Sequence, residues 1–103
     1  MVKYSQQTIV SYLNELSSSR AVPGGGSATA TIGALAASLS IMVARICMKK
    51  SLPKKRQKLA HTIRQFEIAK KRCIHIIDRD PIVYARVAAA YALSKNQANR
   101  TQK

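Results

Sequence analysis

The chain has 103 residues, which predicts one domain with a single hydrophobic core and excludes a multidomain arrangement within this stretch. Its 18 Lys and Arg residues outnumber 4 Asp and Glu residues, and the net charge of +14 indicates attraction to a polyanion or to a multiply charged small substrate. The few aromatic residues do not interleave with the basic ones, so a base-stacking surface for nucleic acid is not favoured.

The two cysteines, Cys47 and Cys73, lie far apart, each within an apolar helical pattern. This predicts two buried, reduced thiols in a cytoplasmic protein rather than a disulfide. Neither has a histidine at metal-ligand spacing, so no metal site is expected. The N-terminus does not show the basic-then-apolar pattern of a signal sequence.

The first predicted helix begins after Ser5, whose hydroxyl can serve as its N-cap. Ile9, Leu13 and Leu16 then fall on one face, which predicts a short amphipathic helix. The three serines at 17–19 end it.

The next stretch, Pro23-Gly24-Gly25-Gly26-Ser27, leads directly into an uncharged run of small residues. The glycines give the backbone access to positive φ and place no side chain between it and a ligand. With Ser27 as N-cap, free N–H groups and the positive end of a helix dipole would form a site for an anion or a carbonyl oxygen. A simple tight turn into a buried helix explains the same residues. A P-loop is excluded, because no Gly-Lys-Ser/Thr follows.

The second helix is predicted from about Ser27 to about Lys50. It is apolar on every side, which predicts neighbours all round, and it has a small-residue stripe at Ala30, Gly33, Ala37 and Ala44. Small residues dominate its uncharged run, Ala28 to Ala44, and the length of that run is at the short edge of what spans a bilayer, so we expect a core helix and no membrane contact.

A third helix begins near Lys54, after Pro53. Its apolar face is formed by Leu59, Ile63, Phe66, Cys73 and Ile77, and its basic face by Lys58, Arg64, Lys71 and Arg72. Asp80 and Pro81 would then cap and open a fourth helix to about Lys95, whose alanines (Ala85, Ala88, Ala89, Ala92) would pack on the second helix. The alternative is one long helix that is kinked at Pro81. We expect residues 96–103 to form a polar, frayed tail, which leaves residues 1–95 as the domain.

Two acidic residues, Asp78 and Asp80, are the candidates for acid–base chemistry. Asp80 as a helix cap and Asp78 as a partner for Arg79 are structural explanations; a proton-transfer group at a break between helices is the functional one. His61 and His75 are interpreted as surface or interface residues.

Together these stretches resemble the cyclodeaminase/cyclohydrolase family, which includes the cyclodeaminase domain of formiminotransferase-cyclodeaminase and bacterial methenyltetrahydrofolate cyclohydrolases. The first block is Pro23–Ser27 with the following Ala-Thr-Ala-Thr-Ile-Gly-Ala-Leu-Ala-Ala-Ser-Leu and Met42-Val-Ala-Arg45. The second is Ile77-Asp-Arg-Asp80 with Tyr84 and Ala89-Ala-Tyr-Ala-Leu-Ser-Lys95. The resemblance covers nearly all of the chain but about the N-terminal half of the family's domain.

The resemblance implies an all-α bundle of about four helices, incomplete relative to the family's domain and completed by oligomerisation, as a homodimer or with a complementary chain. It implies a tetrahydrofolate derivative as substrate, polyglutamylated in some cases, and either ammonia loss from the 5-formimino form or hydrolysis of the 5,10-methenyl form. Asp80, or less directly Asp78, would move the proton. The implied substrate-binding residues are Pro23, Gly24, Gly25, Gly26, Ser27, Tyr84 and Lys95.

Several positions depart from the family pattern: Pro81 stands where alanine is usual, Ser94 replaces a proline, and the third helix is basic where the family is acidic. The chain is thus expected to be an enzyme of folate metabolism, or a fragment without turnover. Two other functions stay open: a basic helical module that binds nucleic acid or another polyanion, and a non-catalytic oligomerisation subunit. The basic run between Lys49 and Lys58 is expected to be exposed and to attract a polyglutamate tail.

Overall fold

The computed structural model describes residues 3–101, with side chains for residues 3–97. A 3-10 turn, Tyr4–Gln6, precedes three α-helices: α1, Ile9–Leu16; α2, Gly25–Met48; and α3, Pro53–Thr101. Residues 3–101 contain no strand, which confirms the all-α prediction. The described helices number three rather than four, because the predicted third and fourth helices are one.

The N-cap of helix α1 lies about one turn later in the chain than predicted. The Thr8 side chain, not that of Ser5, accepts the hydrogen bond from the Ser11 N–H at 3.0 Å. The predicted apolar face is also wrong, since Ile9 and Leu13 are exposed whereas Tyr12 is buried. Tyr12 forms a small core with Ala30 and Ile77, against which Tyr4 and Leu16 pack.

Helices α2 and α3 form an antiparallel hairpin that turns at residues 49–52. Gly26 lies against Asp80, Gly33 against Cys73, and Arg45 against Glu67, so the α3 residue number falls as the α2 number rises. The small residues predicted as a stripe, Ala30, Ala37 and Ala44, are buried along this contact. A stripe without bulky side chains lets the two helix backbones approach closely.

Helix α3 continues through Pro81, so of the two alternatives the single long helix is the one that forms, and the separate fourth helix does not. Proline has no N–H, so the carbonyl of Ile77, four residues earlier, loses its helical partner. The hydroxyl of Ser27 donates to this carbonyl at 3.0 Å and replaces the missing bond. Tertiary packing therefore supplies the donor that the proline removes, and the helix has no need to end.

The length of α3 also overturns the predicted partner of its alanine face. Helix α3 has 49 residues and α2 has 24, so the part of α3 after Pro81 projects past the start of α2. Residues 82–97 are all exposed, including the alanines expected to pack on α2. The helical backbone continues to Thr101, through most of the expected tail, and residues 102–103 lie outside the described range.

Helix α2 is covered on one face only, contrary to the expectation of a core helix surrounded by neighbours. By length and composition it could cross a membrane, although core helices of soluble proteins meet the same criterion. Of its most apolar 18-residue stretch, 17% is buried. Cys47, predicted to be buried, is exposed because α3 does not cover its side of α2; Cys73 is half-buried, and both thiols are free.

Candidate functional site

The glycine stretch begins α2 in a way that the sequence did not predict. The N-cap is Gly24, which offers no side-chain cap, and Ser27 lies inside the first turn. No glycine of the chain has positive φ, so access to the left-handed region is not the reason for the three glycines. The backbone N–H groups of the first turn have no intrahelical acceptor and carry the positive end of the α2 dipole.

Gly26 and Asp80 are in direct contact, and this contact is the centre of the candidate site. A Cβ on Gly26 would lie 2.5 Å from the carboxyl carbon of Asp80, so the carboxylate occupies the space that a side chain would fill. A negative group is favoured at the N-terminus of a helix. Among the described residues, no hydrogen bond or ion pair engages the Asp80 carboxylate.

The two groups meet within one chain although their helices are antiparallel. If Asp80 opened a separate helix antiparallel to α2, the two groups could meet only across a subunit interface. Asp80 instead lies about 40 Å along α3, and α2 is about 36 Å long, at 1.5 Å per residue. Because α3 runs back along α2, the middle of α3 lies beside the first turn of α2.

Two of the implied substrate-binding residues are buried by the protein itself. The side chains of Pro23 and Ser27 are fully buried. The Ser27 hydroxyl lies 2.6 Å from that of Tyr12, in addition to its bond to the Ile77 carbonyl. Since Ser27 donates its hydrogen to Ile77, Tyr12 is the donor in this second bond. Gly24 is half-buried and Gly25 and Gly26 are exposed, so these three backbones are the accessible part of the stretch.

Asp78, the alternative acidic candidate, is held by the N-terminal turn. Its carboxylate accepts one bond from the Ser5 N–H at 2.9 Å and a second from the Ser5 hydroxyl. Two residues apart on a helix, Asp78 and Asp80 point to different sides of α3. Nothing in the sequence signals the pairing of Ser5 with Asp78, which are separated by 73 positions.

Tyr84 and Lys95 lie on the projecting part of α3. Tyr84 is one turn beyond Asp80 on the same face and is 50% exposed. Tyr91, which the site prediction omitted, continues this stripe, as the helical period shows. Lys95 is about 22 Å farther along the α3 axis than Asp80, so the structure does not bring it to the glycine turn, residues 23–27.

The hollow beside Asp80 is small and open on one side. It measures about 200 Å³ and is lined by Ile76, Arg79, Asp80 and Val83. Pockets that enclose a drug-sized molecule measure about 300–1,000 Å³. One chain therefore supplies a floor for a ligand, and a second wall is required to enclose it. No cluster of three His, Cys, Asp or Glu side chains suited to a metal ion occurs in the described part.

The basic run lies at the other end of the hairpin. Lys49, Lys50, Lys54, Lys55, Arg56 and Lys58 are all exposed, as predicted. Because the run surrounds the turn between α2 and α3, it is about 36 Å from Gly25, the length of α2. Within one chain, a folate bound at Asp80 would need a very long polyglutamate tail to reach it. The predicted use of this run for a polyglutamate tail is therefore not supported by the single-chain geometry.

Comparison with known proteins agrees with the motifs. The family model described as Formiminotransferase-cyclodeaminase matches residues 8–103 and thus includes both the glycine turn and the Asp80 segment. No curated protein and no solved structure gives a significant match. Membership of this family indicates a folate-related function. Since the match extends over nearly the whole sequence, the chain belongs to the formiminotransferase-cyclodeaminase family.

Proposed function

We propose that the protein acts on a one-carbon derivative of tetrahydrofolate, with Asp80 as its proton-transfer group. The observation that carries this proposal is the contact of the Asp80 carboxylate with Gly26. It places a titratable oxygen beside the free N–H groups that begin α2. A ligand at this point would meet hydrogen-bond donors for an electronegative atom and a proton acceptor in one place.

The chemistry of the two folate reactions suits this pair of groups. Ammonia loss from the 5-formimino form and hydrolysis of the 5,10-methenyl form both pass through an addition intermediate at one amidine-like carbon. Each needs a proton moved to or from nitrogen or water, and a ligand held in position. The backbone N–H groups would hold the ligand, and Asp80 would take the proton from the attacking nitrogen or water and return it to the leaving nitrogen.

Asp80 is a better candidate than Asp78 for this role. Ser5 donates two hydrogen bonds to the Asp78 carboxylate. These bonds occupy acceptor positions on the carboxylate that a reacting proton would need. The Asp80 carboxylate has no such donor among the described residues. Asp78 is therefore assigned to anchoring the N-terminal turn, and Asp80 to the reaction.

The open hollow beside Asp80 favours a site that a second chain completes. The stripe of Tyr84 and Tyr91 is exposed and would form part of the wall once a homodimer or a complementary chain covers it. We place the protein in the cytoplasm, a reducing compartment in which the free thiols of Cys47 and Cys73 would persist.

Three variants test the proposal. Asp80→Asn is expected to leave folate binding intact and to lower turnover of 5,10-methenyltetrahydrofolate or 5-formiminotetrahydrofolate about a hundredfold or more, the usual worth of a positioned acid or base. Asp78→Asn is the matched control and should retain most of the turnover. Gly25→Val should block binding without disturbing the fold, because a Cβ on Gly25 meets no atom within 4 Å. Unchanged turnover in Asp80→Asn would refute the assignment.

The exposed basic run supports a second candidate function, the binding of nucleic acid or another polyanion. Binding of duplex DNA would then weaken steeply with salt, in proportion to the phosphates neutralised, and would be reduced in a Lys54→Glu/Lys55→Glu variant. Folate binding with little dependence on salt favours the enzyme. A chain that binds folate but turns it over only with a longer relative present would be a non-catalytic subunit.

A further inference from the structure

A larger groove lies beside Asp78, on a different side of α3 from the hollow at Asp80. It measures about 490 Å³, within the range of about 300–1,000 Å³ that is usual for sites of small organic molecules. It is lined by Lys3, Tyr4, Val22, Asp78, Pro81, Ile82, Ala85 and Arg86. The residues of the glycine turn and Asp80 take no part in it.

The walls of the groove are apolar and are held by contacts elsewhere in the fold. Tyr4 packs edge-on against buried Tyr12, with ring centroids 6.0 Å apart and an angle of 64° between the planes. Pro81 is buried at the base, and Ser5 fixes the N-terminal turn to Asp78. The groove is therefore preformed and suits a flat apolar body.

The charges around the groove favour an anionic ligand. Two basic side chains, Lys3 and Arg86, line the groove against one carboxylate, Asp78, whose oxygens accept the two hydrogen bonds from Ser5. Lys3 and Arg86 are exposed, and neither forms an ion pair among the residues whose side chains are described. Arg86 lies two helical turns, about 12 Å, beyond Asp78 along α3.

We propose that this groove is a second binding site, separate from the Asp80 site, for an elongated aromatic carboxylate. The aromatic body lies between Tyr4, Val22 and Pro81, and the carboxylate pairs with the Arg86 guanidinium, whose geometry permits two parallel hydrogen bonds. Lys3 adds positive potential at the rim. The site depends on neither Asp80 nor the proposed folate reaction.

The probe is 2-naphthoate, and its neutral control of the same shape is 2-naphthamide. Calorimetry on the full chain should show tighter binding of the carboxylate. Arg86→Gln should weaken 2-naphthoate about five- to tenfold, as expected for a charge-assisted hydrogen bond at a partly exposed site, and leave 2-naphthamide unchanged. The matched control is Arg72→Gln, which removes the same charge from an exposed part of α3 away from the groove and should change neither affinity.

Amide chemical shifts show where the probe binds. Shifts at Val22, Ile82 and Ala85 support the proposal. It is overturned if the affinity for 2-naphthoate is equal in wild type and Arg86→Gln, if no binding is detected at millimolar probe, or if the shifts map to the exposed apolar face of α2. The Asp80→Asn variant should bind 2-naphthoate like wild type, so a loss of turnover there leaves this site unaffected, and a loss of probe binding there would refute its independence.

Discussion

Ser27 and Pro81 act as a pair, although 54 positions separate them. Pro81 lacks the N–H that would donate a hydrogen bond to the Ile77 carbonyl, and the Ser27 hydroxyl on α2 donates to that carbonyl instead. Ser27 is fully buried, so water cannot substitute for its hydroxyl. The serine of the glycine stretch therefore contributes to the integrity of α3.

We expect Ser27→Ala to destabilise the protein by about 1–3 kcal/mol, because it leaves a buried carbonyl without a donor. The loss should be clearly smaller in a Pro81→Ala background, where residue 81 regains the N–H that bonds to Ile77. Urea unfolding of the two single variants and the double variant gives the coupling free energy.

Tyr12→Phe is the control for that cycle. It removes the bond from Tyr12 to Ser27 and leaves the bond from Ser27 to Ile77. Its cost should be the same in the wild-type chain and in the Pro81→Ala background. Equal costs of Ser27→Ala in both backgrounds would contradict the pairing of Ser27 with Pro81.

Gly26 is the residue whose lack of a side chain positions Asp80. In Gly26→Ala the new Cβ would displace the carboxylate, which is the flexible end of a side chain and can move at little cost in stability. We therefore expect turnover to fall while the free energy of unfolding changes by less than about 1 kcal/mol, the difference in helix propensity between Gly and Ala.

Gly25→Ala is the matched variant for stability, since it brings the same gain in helix propensity and its Cβ meets open space. Thermal unfolding of both variants isolates the effect of helix propensity, and turnover of Gly26→Ala is measured at saturating folate so that weaker binding does not contribute. Wild-type turnover in Gly26→Ala would show that contact with Gly26 does not position Asp80.

At the scale of the helices, α2 and α3 are joined by one interhelical ion pair among the described residues. Glu67 on α3 lies 3.5 Å from Arg45 on α2 and 2.8 Å from Lys70 on its own helix. The hydrogen bond from Lys70 lowers the pKa of Glu67 below its ordinary value, and the charges of Lys70, Arg45 and Lys71 act in the same direction.

A lowered pKa in the native state means that the unfolded state binds the proton more readily. The stabilisation is then present above the ordinary pKa of 4.5 and is lost as the pH falls through the native pKa. We expect Glu67→Gln to lower the melting temperature slightly at pH 7 and to have no effect once the native carboxyl is protonated.

Melting curves of wild type and Glu67→Gln across this pH range test the sign. Glu15→Gln is the control, because Glu15 forms no ion pair among the described residues. A deficit of Glu67→Gln that grows towards acid pH would contradict the direction of the shift.

For the whole molecule, the dominant feature is the apolar surface that one chain leaves uncovered. Ile32, Leu35, Leu39, Met42 and Ile46 are exposed on α2. Their alternating spacing of three and four residues forms the seam by which helices pack together. With the projecting part of α3, the molecule reaches 75 Å in length and is 19 Å across its narrowest axis.

We expect the chain to form a dimer or larger assembly, because soluble monomers rarely expose a contiguous apolar face along a whole helix. Sedimentation at micromolar concentration should show this, and Leu35→Lys/Leu39→Lys should yield monomers that keep their helical circular dichroism. Gln57→Lys/Gln65→Lys adds the same charge at exposed positions of α3 and should leave the assembly intact. A well-folded wild-type monomer would contradict the prediction, and transfer into lipid vesicles would mean that lipid covers this face.

The sequence by itself determined the helical class, the faces by which α2 and α3 pack together, and the family. These follow from local patterns: the 3.6-residue period, the small residues of α2, and two motifs in a fixed order. The exposure of the basic run was predictable for the same reason, since charged side chains stay in water.

The tertiary structure decided whether Pro81 ends a helix and where Ser27 points. Residue patterns favour a break at Pro81, because they show the lost hydrogen bond but not the hydroxyl that replaces it from another helix. The contact of Gly26 with Asp80 depends likewise on the matching lengths of α2 and of α3 up to Asp80. Both are long-range relations, and hydrogen bonds or contacts between distant positions leave no periodic signal in a single sequence.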